Sequence, residues 1–154
     1  MNQKIATIFG GSGFIGRHLI RRLTKRDYRI VVPTRSPHLS VFLKPLGGSG
    51  QVELIKTNIY DTEDIKKALQ NSNIVINLIG ILYESRKQKF NYIHSEFPNI
   101  LSKICSEQNL QKLVHISALG VKKEHTSKYM QSKLQGEKNI QNNFNSSTIL
   151  RPSV

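Results

Sequence analysis

The sequence is short of acids. Its 154 residues carry 23 Lys and Arg against 10 Asp and Glu, a formal net charge of +13. The shortage is local: residues 1–50 hold nine Lys/Arg and a single acid, Asp27. Such a surface attracts anions, whether phosphates, anionic lipid head groups, nucleic acid or an acidic protein. Cysteine is nearly absent too. The lone Cys105 excludes an internal disulfide and offers no metal framework. Its setting, "ILSKICSEQ", places it on the apolar side of a helix as a packing residue. The five histidines (His18, His38, His94, His115 and His125) show no ligand spacing, so no metal is expected. Long apolar runs are missing as well; nothing approaches the roughly 20 residues of a membrane helix. Met1 is followed almost at once by "KIATIFG", which reads as buried strand, so no leader peptide is expected. One domain of ordinary size, 1–154, in a soluble cytoplasmic protein is the reading these absences leave.

What is present alternates strand with helix from end to end. "KIATIF" (4–9) is a short continuous apolar run, as in a strand covered on both faces. Residues 14–26 follow as an amphipathic helix with Ile15, Leu19, Ile20 and Leu23 on one face and arginines elsewhere. "RIVVPTR" (29–35) makes a second strand, whose ladder should weaken at Pro33 for want of an amide donor. A turn-rich segment (36–50) with a short helix, a strand at 51–57 and a helix at 61–70 with an acidic first turn come next. Strand four spans 73–80. A longer helix covers 90–108, kinked or late to start because of Pro98. A strand at 112–120, a helix at 128–141 and a strand at 147–154 complete the chain. About six strands alternating with helices imply an α/β, Rossmann-type doubly wound parallel sheet with helices on both faces.

The glycines between the first strand and the first helix carry the first chemistry. They read as Gly11-x-Gly13-x-x-Gly16 or as Gly10-x-x-Gly13-x-x-Gly16. A tight strand-to-helix turn of this kind lets a pyrophosphate approach backbone amides at the helix N-terminus, where unpaired N–H groups and the helix dipole favour negative charge. An NAD(H) site wants an acid about 20 residues further on for the ribose 2′-hydroxyl. No acid lies between Asp27 and Glu53; the end of the second strand carries Arg35, and Arg17 sits just past the last glycine. Arginine suits a 2′-phosphate, so NADP(H) is expected over NAD(H).

"GGSGFIG", "NLIG", "HISALG", "YMQSK" and "LRPSV" occur in this order across essentially the whole chain. In these motifs the sequence resembles the short-chain dehydrogenase/reductase superfamily. "FNYIHSEFPNILSKICSEQ", "SKYMQSKLQGE" and "TILRPSV" are similar to its atypical branch, which includes the NAD(P)H-binding accessory subunit of respiratory complex I and its bacterial relatives. The resemblance implies a phosphate turn of Gly10, Ser12, Gly13, Phe14, Ile15 and Gly16. It implies Asn58 and Ile59 against the adenine, Asn58 departing from the family's Asp, and Ile79 and Gly80 on the ribose side, with Pro152 flanking the nicotinamide. It also implies a catalytic set of Ser117, Tyr129 and Lys133. Tyr129 and Lys133 are four apart and share a helix face. An ammonium beside a phenol favours the phenolate, which suits such a pair to acid–base chemistry near neutral pH. Lys133 would also hold ribose hydroxyls, and Ser117 would polarise a substrate carbonyl.

Only 11 residues separate Ser117 from Tyr129, a connection like that of the atypical branch, which uses its nucleotide mainly as a bound structural element. Families of this kind continue past the last strand into a C-terminal substrate domain, which this chain is expected to lack. The resemblance therefore implies a non-catalytic NADP(H)-binding subunit or assembly factor of NADH:ubiquinone oxidoreductase. Its partners would be other subunits of a membrane-associated respiratory complex. The basic first half would face anionic lipid or an acidic neighbour, on the cytoplasmic side of an inner membrane or on the matrix side in an organelle. The alternative is an active NADPH-dependent reductase, dehydrogenase or epimerase using Ser117, Tyr129 and Lys133. Nucleic acid is not an expected partner, because no recognition-helix motif or aromatic-interleaved basic strand is present.

Overall fold

A computed structural model describes residues 3–122, 124 and 126–153; His125 lies outside the described residues. The chain forms two compact units, residues 1–78 and 79–154.

In the first unit four strands, β1 (Ile5–Phe9), β2 (Arg29–Thr34), β3 (Val52–Lys56) and β4 (Ile74–Asn77), run parallel in the order β3-β2-β1-β4. The register Ala6↔Ile74 and Ala6↔Ile30 puts β1 between its two neighbours. Ala6, Ile8 and Phe9 are accordingly fully buried, as an apolar strand requires. Pro33 acts on one side only. Pairing with β1 is registered as far as Val31, whereas pairing with β3 runs on through Pro33↔Ile55.

Helix α1 (Phe14–Thr24) buries Gly16, Ile20 and Thr24 and leaves its arginines in solvent. Ile15, expected on the inner face, is instead 48% exposed, because it falls in the first turn beside the glycines. The segment after β2 forms a 3-10 helix (Pro37–Leu46) rather than an α-helix, with Pro45 inside it. Helix α2 (Thr62–Ala68) starts at Asp61, whose carboxylate accepts the amides of Glu63 and Asp64, and buries Ile65 and Ala68.

In the second unit a π-helical turn (Asn91–Glu96) leads directly into α3 (Phe97–Glu107). Pro98 sits in the first turn of α3, so the feature expected as a kink or late start is a change of helix type. Strands β5 (Lys112–Ile116) and β6 (Ser147–Leu150) pair in parallel, and α4 (Lys128–Asn143) connects them. The α3–α4 contact is partly polar: the Asn143 amide donates to Asn99 Oδ1 at 2.8 Å and to the buried Ser102 Oγ at 3.0 Å. Cys105 is buried in α3, and burial pushes its thiol up to about 12, as suits a packing residue.

Three helix-to-strand connections share one device. Asp27, Asn71 and Asn109 each adopt positive φ (60°, 63° and 52°) just after α1, α2 and α3. Asp and Asn tolerate the left-handed conformation that stops a helix, so these residues turn the chain toward the next strand.

Candidate nucleotide site

In the first unit the glycine turn is as tight as its sequence suggests. Gly10 has φ of 78°, and a Cβ on Gly16 would lie 2.4 Å from the Gly11 carbonyl oxygen. A side chain would be strained at Gly10 by its positive φ, and one at Gly16 would have to displace the Gly11 backbone. Gly13 is the N-cap of α1; no side chain caps that helix, and no acid lies in its first turn. The expected residues Ser12, Phe14 and Ile15 are all exposed around this end, Phe14 at 74%. A bare, acid-free helix N-terminus behind a turn with no room for Cβ fits a phosphate group.

Arg17 and Arg35 are both exposed, and neither is ion-paired among the described residues. Arg17 lies over the Phe42 ring, 5.6 Å from its centroid, and a cavity of about 370 Å3 is lined by Phe14, Arg17, His18 and Arg21. Arg35 follows the last residue of β2. Asn58 is exposed and its Oδ1 accepts the Tyr60 amide at 3.0 Å, while Ile59 is buried.

The second unit gathers the rest. Gly80 is exposed, and a Cβ on it would lie 3.4 Å from Lys133 Nζ and 3.8 Å from His94 Nε2. Ile79 beside it is half-buried. Lys133 is 5% exposed; its ammonium donates to the Ile116 carbonyl at 3.5 Å and sits 5.9 Å from the Tyr129 ring centroid. It thus faces the ring of Tyr129. Burial lowers the Lys133 pKa, opposed by the Glu137 carboxylate. Ser117, just past β5, is 5% exposed, and among the described residues its buried Oγ closes no hydrogen bond of ordinary geometry. Its hydroxyl nevertheless lies close enough to Glu137 to favour the ionised carboxylate.

Three residues of this unit were not singled out from the sequence. His94 is 1% exposed and sits edge-on to Tyr129 with ring centroids 5.2 Å apart. Burial first, then the charges of Lys133 and His115, lower its pKa to about 4, so it is neutral near pH 7. Glu137 is 3% exposed and chelated by Arg151: Nε donates to Oε1 at 2.9 Å and Nη2 to Oε2. Burial alone would raise its pKa, but the hydrogen bonds from Arg151, the nearby Ser117 hydroxyl and the charges of Arg151 and His115 lower it overall. One signal for Glu137 was visible, since Tyr129, Lys133 and Glu137 recur every four residues on one face of α4.

The model of the NAD(P)H-binding family matches residues 10–154, and the chain belongs to that family. Within it, the chain is similar to the mitochondrial NADH dehydrogenase [ubiquinone] 1 alpha subcomplex subunit 9 of Mus musculus. The two are 32% identical over 150 residues, covering 97% of this chain and 40% of that protein. The chain therefore spans about two fifths of the length of this curated relative. Among solved structures, UDP-glucuronic acid 4-epimerase from Bacillus cereus, in complex with UDP-glucuronic acid and NAD, matches with a TM-score of 0.74 at 26% identity, over 96% of this chain and 55% of that one. A Rossmann-fold NAD(P)-binding family protein from Shigella flexneri matches with a TM-score of 0.77 at 20% identity, over 99% and 68%. The fold is thus the Rossmann-type α/β fold expected from the strand–helix alternation, and the chain resembles the complex I subunit within an extended short-chain dehydrogenase-like family.

Proposed function

We propose that the chain binds NADP(H) as a structural ligand and acts as a nucleotide-binding subunit or assembly factor of NADH:ubiquinone oxidoreductase. The observation that carries the nucleotide is the glycine turn: an uncapped helix N-terminus, free of acids, behind backbone with no room for side chains. Gly10, Ser12, Gly13, Phe14, Ile15 and Gly16 take the pyrophosphate through backbone amides. Arg17 and Arg35, neither ion-paired among the described residues, take the 2′-phosphate and set the preference for NADP(H). Asn58 and Ile59 face the adenine; Ile79, Gly80 and the Lys133 ammonium receive the nicotinamide ribose, with Pro152 beside the ring. Bound nicotinamide could accept or donate hydride, but the residues of this chain are better suited to holding it. Ser117 is buried and lies close to Glu137, which leaves its hydroxyl less available to a substrate carbonyl.

The partner follows from the relative, whose printed name is that of a complex I subunit. Among the described residues no helix is long and apolar enough to cross a membrane. Docking at a membrane surface, on the matrix or cytoplasmic side, is part of the same proposal. The basic first half faces anionic lipid or an acidic neighbouring subunit. The test is affinity purification of the tagged full chain from native membranes. Recovery of complex I subunits is expected; a pulldown that recovers none of them would count against this role.

A second reading rests on Ser117, Tyr129 and Lys133 all lying in one unit: a reductase, dehydrogenase or epimerase of the short-chain type. Under it, Tyr129→Phe abolishes an NADPH-dependent turnover that the parent displays. Absence of turnover in the parent, with nucleotide bound, favours the structural role.

A further inference from the structure

We propose that His94 is a positioning residue: its ring holds the Gly80–Ile81 turn against the Tyr129–Lys133 face of α4, and so shapes the place that receives the nicotinamide ribose. This rests on the nucleotide reading above.

The hydrogen bonds around His94 run in one direction. The Ile81 amide can only donate, and it lies 3.1 Å from Nε2, so Nε2 must be the unprotonated nitrogen. Nδ1 then carries the ring proton and donates to Ser132 Oγ at 3.0 Å. The Ser132 hydroxyl spends its one proton on the Tyr129 carbonyl at 2.7 Å. A relay with every donor used joins the turn after β4 to the first turn of α4, through residues 13 and 38 apart in sequence. Only the neutral imidazole completes it, because a protonated ring has no acceptor for the Ile81 amide. Burial and the neighbouring Lys133 and His115 keep the ring neutral.

The backbone is shaped around this ring. His94 sits in the π-helical turn Asn91–Glu96, a rare geometry that recurs at functional sites because it re-aims a side chain. Its own carbonyl runs so close to α4 that a Cβ on Gly136 would lie 1.8 Å from the oxygen. Phe90 stacks on the other side of the ring at 5.5 Å, nearly parallel. The imidazole is therefore fixed in plane, tautomer and position. Beside it, Gly80 has no side chain, and both Lys133 Nζ and His94 Nε2 look onto its backbone. A turn held by His94 through the Ile81 amide, with the ammonium close by, is ordered before any ligand arrives, which reduces the cost of binding.

Two substitutions separate this role from general packing. In His94→Gln the side-chain carbonyl reaches the place of Nε2 and can accept the Ile81 amide. In His94→Asn the amide reaches only the place of Nδ1, so Ser132 keeps a donor and Ile81 loses its acceptor. The full chain and both variants are titrated with NADPH, followed by nicotinamide fluorescence, and with adenosine 2′,5′-bisphosphate, which lacks the nicotinamide ribose. Melting temperatures are recorded alongside. His94→Asn is expected to weaken NADPH about tenfold, the equivalent of one lost hydrogen bond, while leaving the bisphosphate unchanged. His94→Gln is expected to restore NADPH affinity to within about threefold of the parent. A folded His94→Asn chain that binds NADPH like the parent, or that loses both ligands equally, would overturn the inference alone. A parent that binds neither ligand would overturn the nucleotide reading, and the inference with it.

Discussion

Acidification from pH 7 to pH 5 should destabilise this chain through two buried imidazoles. His94 and His115 are each 1% exposed, and each has its pKa lowered to about 4. Burial is the main cause for both and Lys133 the second; His115 adds to the effect on His94, whereas Glu137 opposes it on His115. In the unfolded chain each titrates near its ordinary value of about 6.5. Between about 4 and 6.5 the unfolded state therefore binds more protons, so the stability these groups contribute is full above 6.5 and is lost as pH falls toward 4. At about 1.4 kcal/mol per unit, each imidazole withdraws about 2 kcal/mol by pH 5. That is a large fraction of the stability of a domain this size. Glu137 acts lower: its pKa is depressed, so its contribution is present above the ordinary carboxylate range and disappears only below it. Urea unfolding followed by far-UV circular dichroism at pH 7, 6 and 5 measures the loss directly. His94→Gln and His115→Gln carry no titrating group, and each should remove about half of the pH slope. Equal stability at pH 7 and pH 5, or an undiminished slope in both variants, would refute the reasoning.

Other outcomes follow from the same contacts. Gly16→Ala places a methyl 2.4 Å from the Gly11 carbonyl, so the turn must shift; a loss of about 1–3 kcal/mol in urea unfolding is expected, with NADPH affinity falling by more than the melting temperature accounts for. Glu137→Ala strands Arg151 and removes the carboxylate that opposes the lowering of Lys133 by burial. Because Arg151 is itself 44% exposed, the cost should be about 2 kcal/mol, below that of a fully buried pair, and Glu137→Gln should lose less in the same assay. Tyr129→Phe should leave NADPH affinity within about twofold, since a ligand held mainly by backbone amides and Lys133 gains little from the phenol.

The fold was legible because its signals are local. Apolar runs such as "IATIF" and "IVIN" lie at the observed strands, and the glycine spacing marked the turn that no side chain can enter. Strand ends were less so: β4 ends at Asn77 and β5 at Ile116, short of the apolar letters that follow, which lie in the turns beyond the ladder. The positive-φ Asp27, Asn71 and Asn109 were visible letters whose role emerges only once the helices that they stop are known. The π-helical turn and the work of His94 depend on Ser132 and Gly136, some 40 residues away, and no local pattern announces such contacts. Arg151 likewise gains meaning only when β6 brings it to Glu137.

The central claim is that this chain binds NADP(H). The most direct measurement is a fluorescence titration of the purified chain with NADPH and NADH, in parallel with Arg35→Ala. Saturable NADPH binding, tighter than NADH, with a preference that falls about tenfold in Arg35→Ala, is the predicted result. A folded chain that binds neither nucleotide would contradict the account.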